Sequence, residues 1–236
     1  MTTVNKVCIL LGLAPTVIVL PGCRSPGSLR PSEYLVVDLL DEFGLDQPSD
    51  SWELATPDAW RIGSDGQRRF LQVAALSASP DKQPPAWESA MHRKYRFRNF
   101  SLSAWLRLEQ AVGNRPCSAS IVFGWRNDLN CLRLDLSDLS GKADVALVQV
   151  TDGQVIRLAA AALSSRPDFT RKEWHQIGIL RNLDTATVEV YIDEADKPVL
   201  RARTTAHEWG RLGLASTTGG ASFGRVMISG EALPAQ

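Results

Sequence analysis

In the stretch FRNFSLSAWLRLE, Phe97 to Glu109, the residues Phe100, Leu102, Ala104 and Leu106 share one parity and Ser101, Ser103, Trp105 and Arg107 the other. Side chains of an extended chain point alternately to opposite faces, so this period of two marks a half-buried strand with a tryptophan on its polar face. The pattern recurs in short runs broken by turn residues. YLVVDLLDEF starts at Tyr34, SWELATPDAWRIGSDGQRRFLQVAA holds two or three strands split by TPD and SDG, and SIVFGW faces CLRLDL around RNDLN. Further on, TDG joins VALVQV to QVIRLA, NLDT joins WHQIGILRN to TATVEVYID, and ADKPV turns the chain toward LRARTTA. A Gly-rich loop separates GRLGLAST from ASFGRVMISG. Roughly a dozen short strands spaced about 8 to 12 residues apart predict an all-β antiparallel sandwich and argue against βαβ units. RLAAAALSS, from Arg157, is rich in helix-favouring alanine, but its flanking strands favour an extended chain.

Ahead of Tyr34 the chain changes character. Lys6 precedes an almost uncharged run from Val7 to Leu20. That run, about 14 residues, is too short to cross a ~30 Å hydrocarbon core and has the length of a signal h-region. After Cys23, RSPGSLRPSE is polar, rich in Pro, Gly and Ser, and reads as a tether. Between the two lies LPGC, Leu20 to Cys23. It resembles the lipobox of bacterial lipoproteins, with an aliphatic residue at minus three, a small one at minus one, then the cysteine. The resemblance implies a signal peptide over 1–22, acyl chains such as palmitate on Cys23, and a cell-envelope protein held at a membrane. Arg24 stands where an aspartate would imply inner-membrane retention, which implies the outer membrane. The expected organisation is then the lipidated cysteine and tether over 23–33, one β domain over 34–231, and a short tail over 232–236.

Lys and Arg number 26 and Asp and Glu 26, so no bulk charge points to nucleic acid as a partner. Once Cys8 leaves with the signal peptide and Cys23 carries lipid, only Cys117 and Cys131 remain for a disulfide. In the hairpin register Cys117 falls several positions beyond the partner of Cys131, which argues against a bridge. Seven tryptophans are a high share, and serve either as core anchors or as platforms for sugar rings.

Seven short motifs occur in order: Phe100 to Leu102, Ile121 to Phe123, Asn127 to Asn130, Asp152-Gly153, Trp174-His175, Val190 to Asp193 and Gly210 to Leu214. Together they resemble the concanavalin A-like lectin/glucanase superfamily, most closely its laminin G-like and 3-keto-disaccharide hydrolase-like branch. The resemblance spans about Tyr34 to Gly230. It implies a jelly roll of two curved antiparallel sheets, one of which lines a groove, and it sets fold without setting chemistry. Two departures bear on function. Cys131-Leu132 stands where the branch carries an aromatic pair, and Phe223-Gly224 replaces an F-D that can supply a calcium carboxylate. No cofactor is expected, and structural calcium is disfavoured.

Retaining glucanases need two carboxylates about 5 to 5.5 Å apart across one bond. The nearest approach is EVYIDE, where Glu189, Tyr191 and Asp193 share a face but Tyr191 stands in the place of the middle carboxylate. There is no G-x-S-x-G elbow and no dense metal-ligand spacing. Of His92, His175 and His207, the second enters a strand beside Trp174 and reads as a structural hydrogen-bonding group. Glu208-Trp209 and Glu88 beside Trp87 read as loop residues. The best groove floor gathers Arg133 and Asp135, on the polar parity of CLRLDL, with Trp125, Arg126 and Asn130 of the same hairpin and with Trp105 and Arg107 of the strand before. The expectation is a monomeric, membrane-anchored domain that binds a glycan or another envelope component without catalysis. A glycoside or 3-keto-glycoside hydrolase and a structural envelope module are the alternatives.

Overall fold

A computed structural model describes residues 34–76, 87–109, 117–139, 142–163, 173–193, 195–217 and 219–235. The predicted signal peptide, Cys23 and its tether, the proline-rich loop over 77–86, and Glu194 lie outside these residues. In chain order the strands are β1 (Leu35–Asp41), β2 (Trp52–Leu54), β3 (Trp60–Ser64), β4 (Arg69–Leu76), β5 (Glu88–His92), β6 (Tyr95–Leu108), β7 (Cys117–Asn127) and β8 (Asn130–Leu139). They continue as β9 (Lys142–Thr151), β10 (Gln154–Ala162), β11 (His175–Asn182), β12 (Thr187–Ile192), β13 (Leu200–Arg203), β14 (Arg211–Ser216) and β15 (Gly219–Pro234). A 3₁₀ turn, Pro57–Ala59, falls on the predicted TPD break.

These strands form two antiparallel sheets. The first has the order β13-β12-β11-β6-β15-β4-β3, with β1 also paired to β15; the second has the order β10-β9-β8-β7-β14-β5-β2. The hairpins β7–β8, β9–β10 and β11–β12 arise at the turns the sequence marks. At Asp152-Gly153 both residues take positive φ, 49° and 78°, which suits a tight hairpin and explains the Asp-Gly pair. β6 belongs to the first sheet, yet β7, next in the chain, belongs to the second, as does β14 just before β15 returns to the first. The chain therefore laces the sheets together, as a jelly roll does.

The core fills the space between the sheets. Phe100, Leu102, Ala104 and Leu106 of β6 face Ile121 and Phe123 of β7 and Leu132, Leu134 and Leu136 of β8 in one buried cluster. Phe97, Phe100 and Phe123 meet edge to face, with centroids 6.4 and 5.8 Å apart. Burying such side chains stabilises by roughly 1.5–3 kcal/mol each relative to exposure.

One expectation needs correction. The tail read at 232–236 is mostly strand: Ala232, Leu233 and Pro234 pair with Phe97, Arg96 and Tyr95, and Ala232 is fully buried. The alanine run from Arg157 to Ala162 lies in β10, where backbone bonding to β9 outweighs the weak helix preference of so short a run. Cys117 lies opposite Asp138 and faces the central core, while Cys131 lies opposite Val150 in a second cluster on the other face of the same sheet. No bridge between them is possible.

Candidate functional site

The second sheet buries residues on both of its faces. Away from the core, Met91, Val122, Cys131, Ala146, Val148, Val150 and Ala215 form a separate cluster. On the first sheet, by contrast, Ser101 and Leu180 on the outward face are exposed. The outward face of the second sheet is thus screened, with a floor of small and medium apolar side chains and no leucine among the described residues. Trp87 and Trp125 pack against that floor and stay half-buried. Burial of Cys131 in it pushes the thiol up to about 11, so it is an apolar group and no nucleophile.

Strand register places the polar groups. Val122 of β7 pairs with Arg133 of β8, and Ser120 with Asp135. Asp135 accepts a hydrogen bond from Ser120 Oγ at 2.7 Å and one from Arg133 Nη2 at 3.0 Å. The Arg133 guanidinium reaches over the Trp87 ring, 5.5 Å from its centroid, and its screened Nε has no hydrogen-bond partner among the described residues. At the other end, Arg211 lies over Trp125 at 5.2 Å, pairs with Glu53 at 2.7 Å, and donates to the backbone carbonyls of Met91 and His92. Trp125 Nε1 donates to Asp128 at 3.2 Å. Gly213 lets Met91 cross the middle of this face, since a Cβ there would sit 2.2 Å from Met91 Sδ.

Gly124, with φ of 59°, and Gly210 shape the Trp125 end. A Cβ on Gly210 would fall 2.1 Å from the Gly124 carbonyl carbon, so the two backbones touch directly. Behind them Arg181, 1% exposed, donates from Nη2 to the carbonyls of Ala206 and His207 at 2.7 and 2.9 Å. Burial brings this guanidinium down to about 10. His207 donates from Nε2 to the Val150 carbonyl, 2.7 Å away, and its burial lowers its pKa. The loop around residue 207 is thereby fastened beneath Trp125.

The seven groove candidates do not form one floor. Trp125, Arg133 and Asp135 share the outer face of the second sheet, and Arg126 and Asn130 lie at its hairpin tip, where Asn130 bonds Asn127 and Asp152. Trp105 and Arg107 lie on the outer face of the first sheet, on the opposite side of the sandwich. There Arg68 covers one face of the Trp105 ring at 3.9 Å, and Arg107 lies over Trp174 at 4.6 Å and Phe70 at 5.0 Å. Trp174 Nε1 donates to Asp65 at 2.7 Å, the largest cause of that carboxyl's lowered pKa. This is a closed stack of cations and rings, with Arg107 also paired to Glu109 at 3.1 Å.

On that sheet too, Glu189, Tyr191 and Asp193 share a face as expected. Tyr191 donates to Glu189 at 2.7 Å, Arg201 pairs with Glu189 at 2.6 Å, and Asp193 takes the backbone N–H of Gln176 and the buried ring of His175. Among the described residues no three His, Cys, Asp or Glu side chains cluster as metal ligands. Trp87 and Arg211 complete the face of the second sheet; the sequence places Trp87 with the loop, but it shares its parity with Ser89 and Met91 of β5.

No family model matches the chain, and no curated protein matches it. Among solved structures it is similar to the carbohydrate binding module CBM66 from Bacillus subtilis, with 11% identity and a TM-score of 0.55, covering 76% of this chain and 95% of that one. It is also similar to a glycoside hydrolase family 16 endo-glucanase from Bacteroides ovatus, with 10% identity, a TM-score of 0.60, and coverage of 80% and 99%. A beta-glucanase from Bacillus licheniformis aligns with 12% identity, a TM-score of 0.58, and coverage of 81% and 97%. At these identities the likeness is one of fold, and the fold is the concanavalin A-like jelly roll.

Proposed function

We propose that this chain is an exported, monomeric lipoprotein anchored through Cys23, most naturally at the outer membrane, whose jelly roll binds a glycan without cleaving it. The observation that carries the reading is the pair of half-buried tryptophans, Trp87 and Trp125, set on one screened sheet face around the Ser120–Asp135–Arg133 group. Sugar rings offer an apolar side to an aromatic surface and a rim of hydroxyls to fixed polar groups. The Arg133 guanidinium, lying over the Trp87 ring and bonded to Asp135, sets a fixed cationic donor group beside that aromatic surface. The likeness in fold to a carbohydrate binding module supports the same reading.

Binding is favoured over hydrolysis because the carboxylates described on this face are engaged. Glu53 pairs with Arg211, Asp135 with Arg133, and Asp144 with Arg157. Hydrolysis needs two carboxylates free to flank one glycosidic bond. The test is a glycan array probed with the full chain and with a Trp125→Ala, Arg133→Ala double variant. Binding by the parent chain and its loss in the variant are expected; equal signals from the two would sink the assignment.

A further inference from the structure

An open depression of about 410 Å³ lies on the outer face of the first sheet, away from the face described above. Its origin is a missing side chain. Gly178 of β11 pairs with Tyr191 of β12 on one side and Ser103 of β6 on the other, so an outward-facing row reads Tyr191, Gly178, Ser103 with a gap at its centre. Gln176 and Leu180 bound the gap along β11, and Ser101 extends it along β6. Tyr191 is held over its own strand by its hydroxyl bond to Glu189, and Gln176 Nε2 donates to Ser103 Oγ at 2.9 Å.

The chemistry of these walls selects an occupant. Both carboxylates nearby are engaged, Glu189 by Tyr191 and Arg201 and Asp193 by Gln176 and His175. Among the described residues no lysine or arginine lines the depression, so an anion finds no counter-charge there, and the carboxylate at its wall, Asp193, is already taken up by Gln176 and His175. What remains is an aromatic ring beside an amide and two hydroxyls, over a floor that a glycine keeps open. The volume lies at the low end of the range for small-molecule sites. We propose that this depression is a second carbohydrate site, taking a neutral pyranose ring against Tyr191, with Gln176, Ser101 and Ser103 meeting its hydroxyls. Two sites on opposite outer faces would let one domain hold two glycan segments at once, one on each side of the sandwich.

Gly178 makes the test clean. A Cβ there would stand 3.4 Å from Tyr191 Cβ, an ordinary contact, and its φ is outside the left-handed region. Gly178→Val therefore keeps the strand, which valine favours, and fills the gap. The full chain, in detergent micelles, is titrated with methyl glycosides of glucose, galactose, mannose and N-acetylglucosamine up to about 100 mM, because a monosaccharide offers few atoms for binding energy. Backbone amide shifts of Gly178, Ser103 and Tyr191 are followed together with the indole N–H signals of Trp87 and Trp125.

At least one sugar moves the Gly178, Ser103 and Tyr191 amides saturably. Gly178→Val weakens that response by about tenfold or more, the cost of a misfit of one or a few methyl groups. Tyr191→Ala, which removes the ring, weakens it as well. Failure of every sugar to move these amides, or an unchanged response in Gly178→Val with the amides read at 103 and 191, overturns the proposal. The indole signals report separately on the opposite face, so either site can fail without the other.

Discussion

His92 couples the packing of the sandwich to pH. Its ring is 5% exposed, stacked on Tyr95 and met edge-on by Trp52 and Phe97, and its Nδ1 has no hydrogen-bond partner among the described residues. Burial chiefly, then the positive charges of Lys94 and Arg211, lower its pKa from 6.5 to about 4, with Asp41 opposing. The unfolded chain binds a proton at this ring near 6.5 and the folded chain only near 4, so between those values the unfolded state holds more protons. Stability is fully present above 6.5 and is lost as pH falls toward 4. Between pH of about 7.5 and 5 the loss from this one group is about 2 kcal/mol. The depressed pKa of His207 acts in the same direction.

Urea unfolding at several pH values measures this directly, with His92→Phe as the partner variant because it keeps an aromatic ring and removes the proton site. The wild type should lose about 2 kcal/mol more than His92→Phe over that window. Parallel stability curves for the two proteins would refute the argument that burial holds His92 neutral.

Other perturbations have distinct readouts. Gly210→Ala forces a methyl group into the Gly124 backbone, which cannot swing aside as a side chain can, and should cost more than about 3 kcal/mol in urea unfolding. Phe123→Ala removes a ring at the centre of the core contact with Phe100 and should cost about 3–5 kcal/mol, read in the same way. Mass spectrometry of the mature chain should find an acylated Cys23 at its N-terminus; an unmodified Cys23, or a start elsewhere, removes the anchor.

The alternation of Phe100, Leu102, Ala104 and Leu106 against Ser101, Ser103, Trp105 and Arg107 was legible in sequence, as were the turns that end the hairpins. Period two states which side chains leave the core but not which sheet they leave it from. β6 and β7 are neighbours in the chain and lie in different sheets, so their outward faces look in opposite directions. That is why Trp105 and Trp125, both correctly outward, cannot share a ligand. The cation–ring stack around Trp105 was equally hidden, because Arg68 and Trp174 come from opposite halves of the chain and meet only through sheet order. Cys131 showed the limit of a polar-parity reading: it sits in line with Arg133 and Asp135, yet it belongs to an apolar floor.

The face of the second sheet is tested most directly by comparing two tryptophans. An oligosaccharide that binds on the glycan array is titrated calorimetrically into the full chain, into Trp87→Ala and into Trp105→Ala, with the fold of each variant checked by circular dichroism. Trp87→Ala should weaken binding by about tenfold to a hundredfold, as loss of a buried aromatic anchor does, while Trp105→Ala binds like the parent. Full affinity in Trp87→Ala, or a loss confined to Trp105→Ala, would contradict the assignment of the binding face.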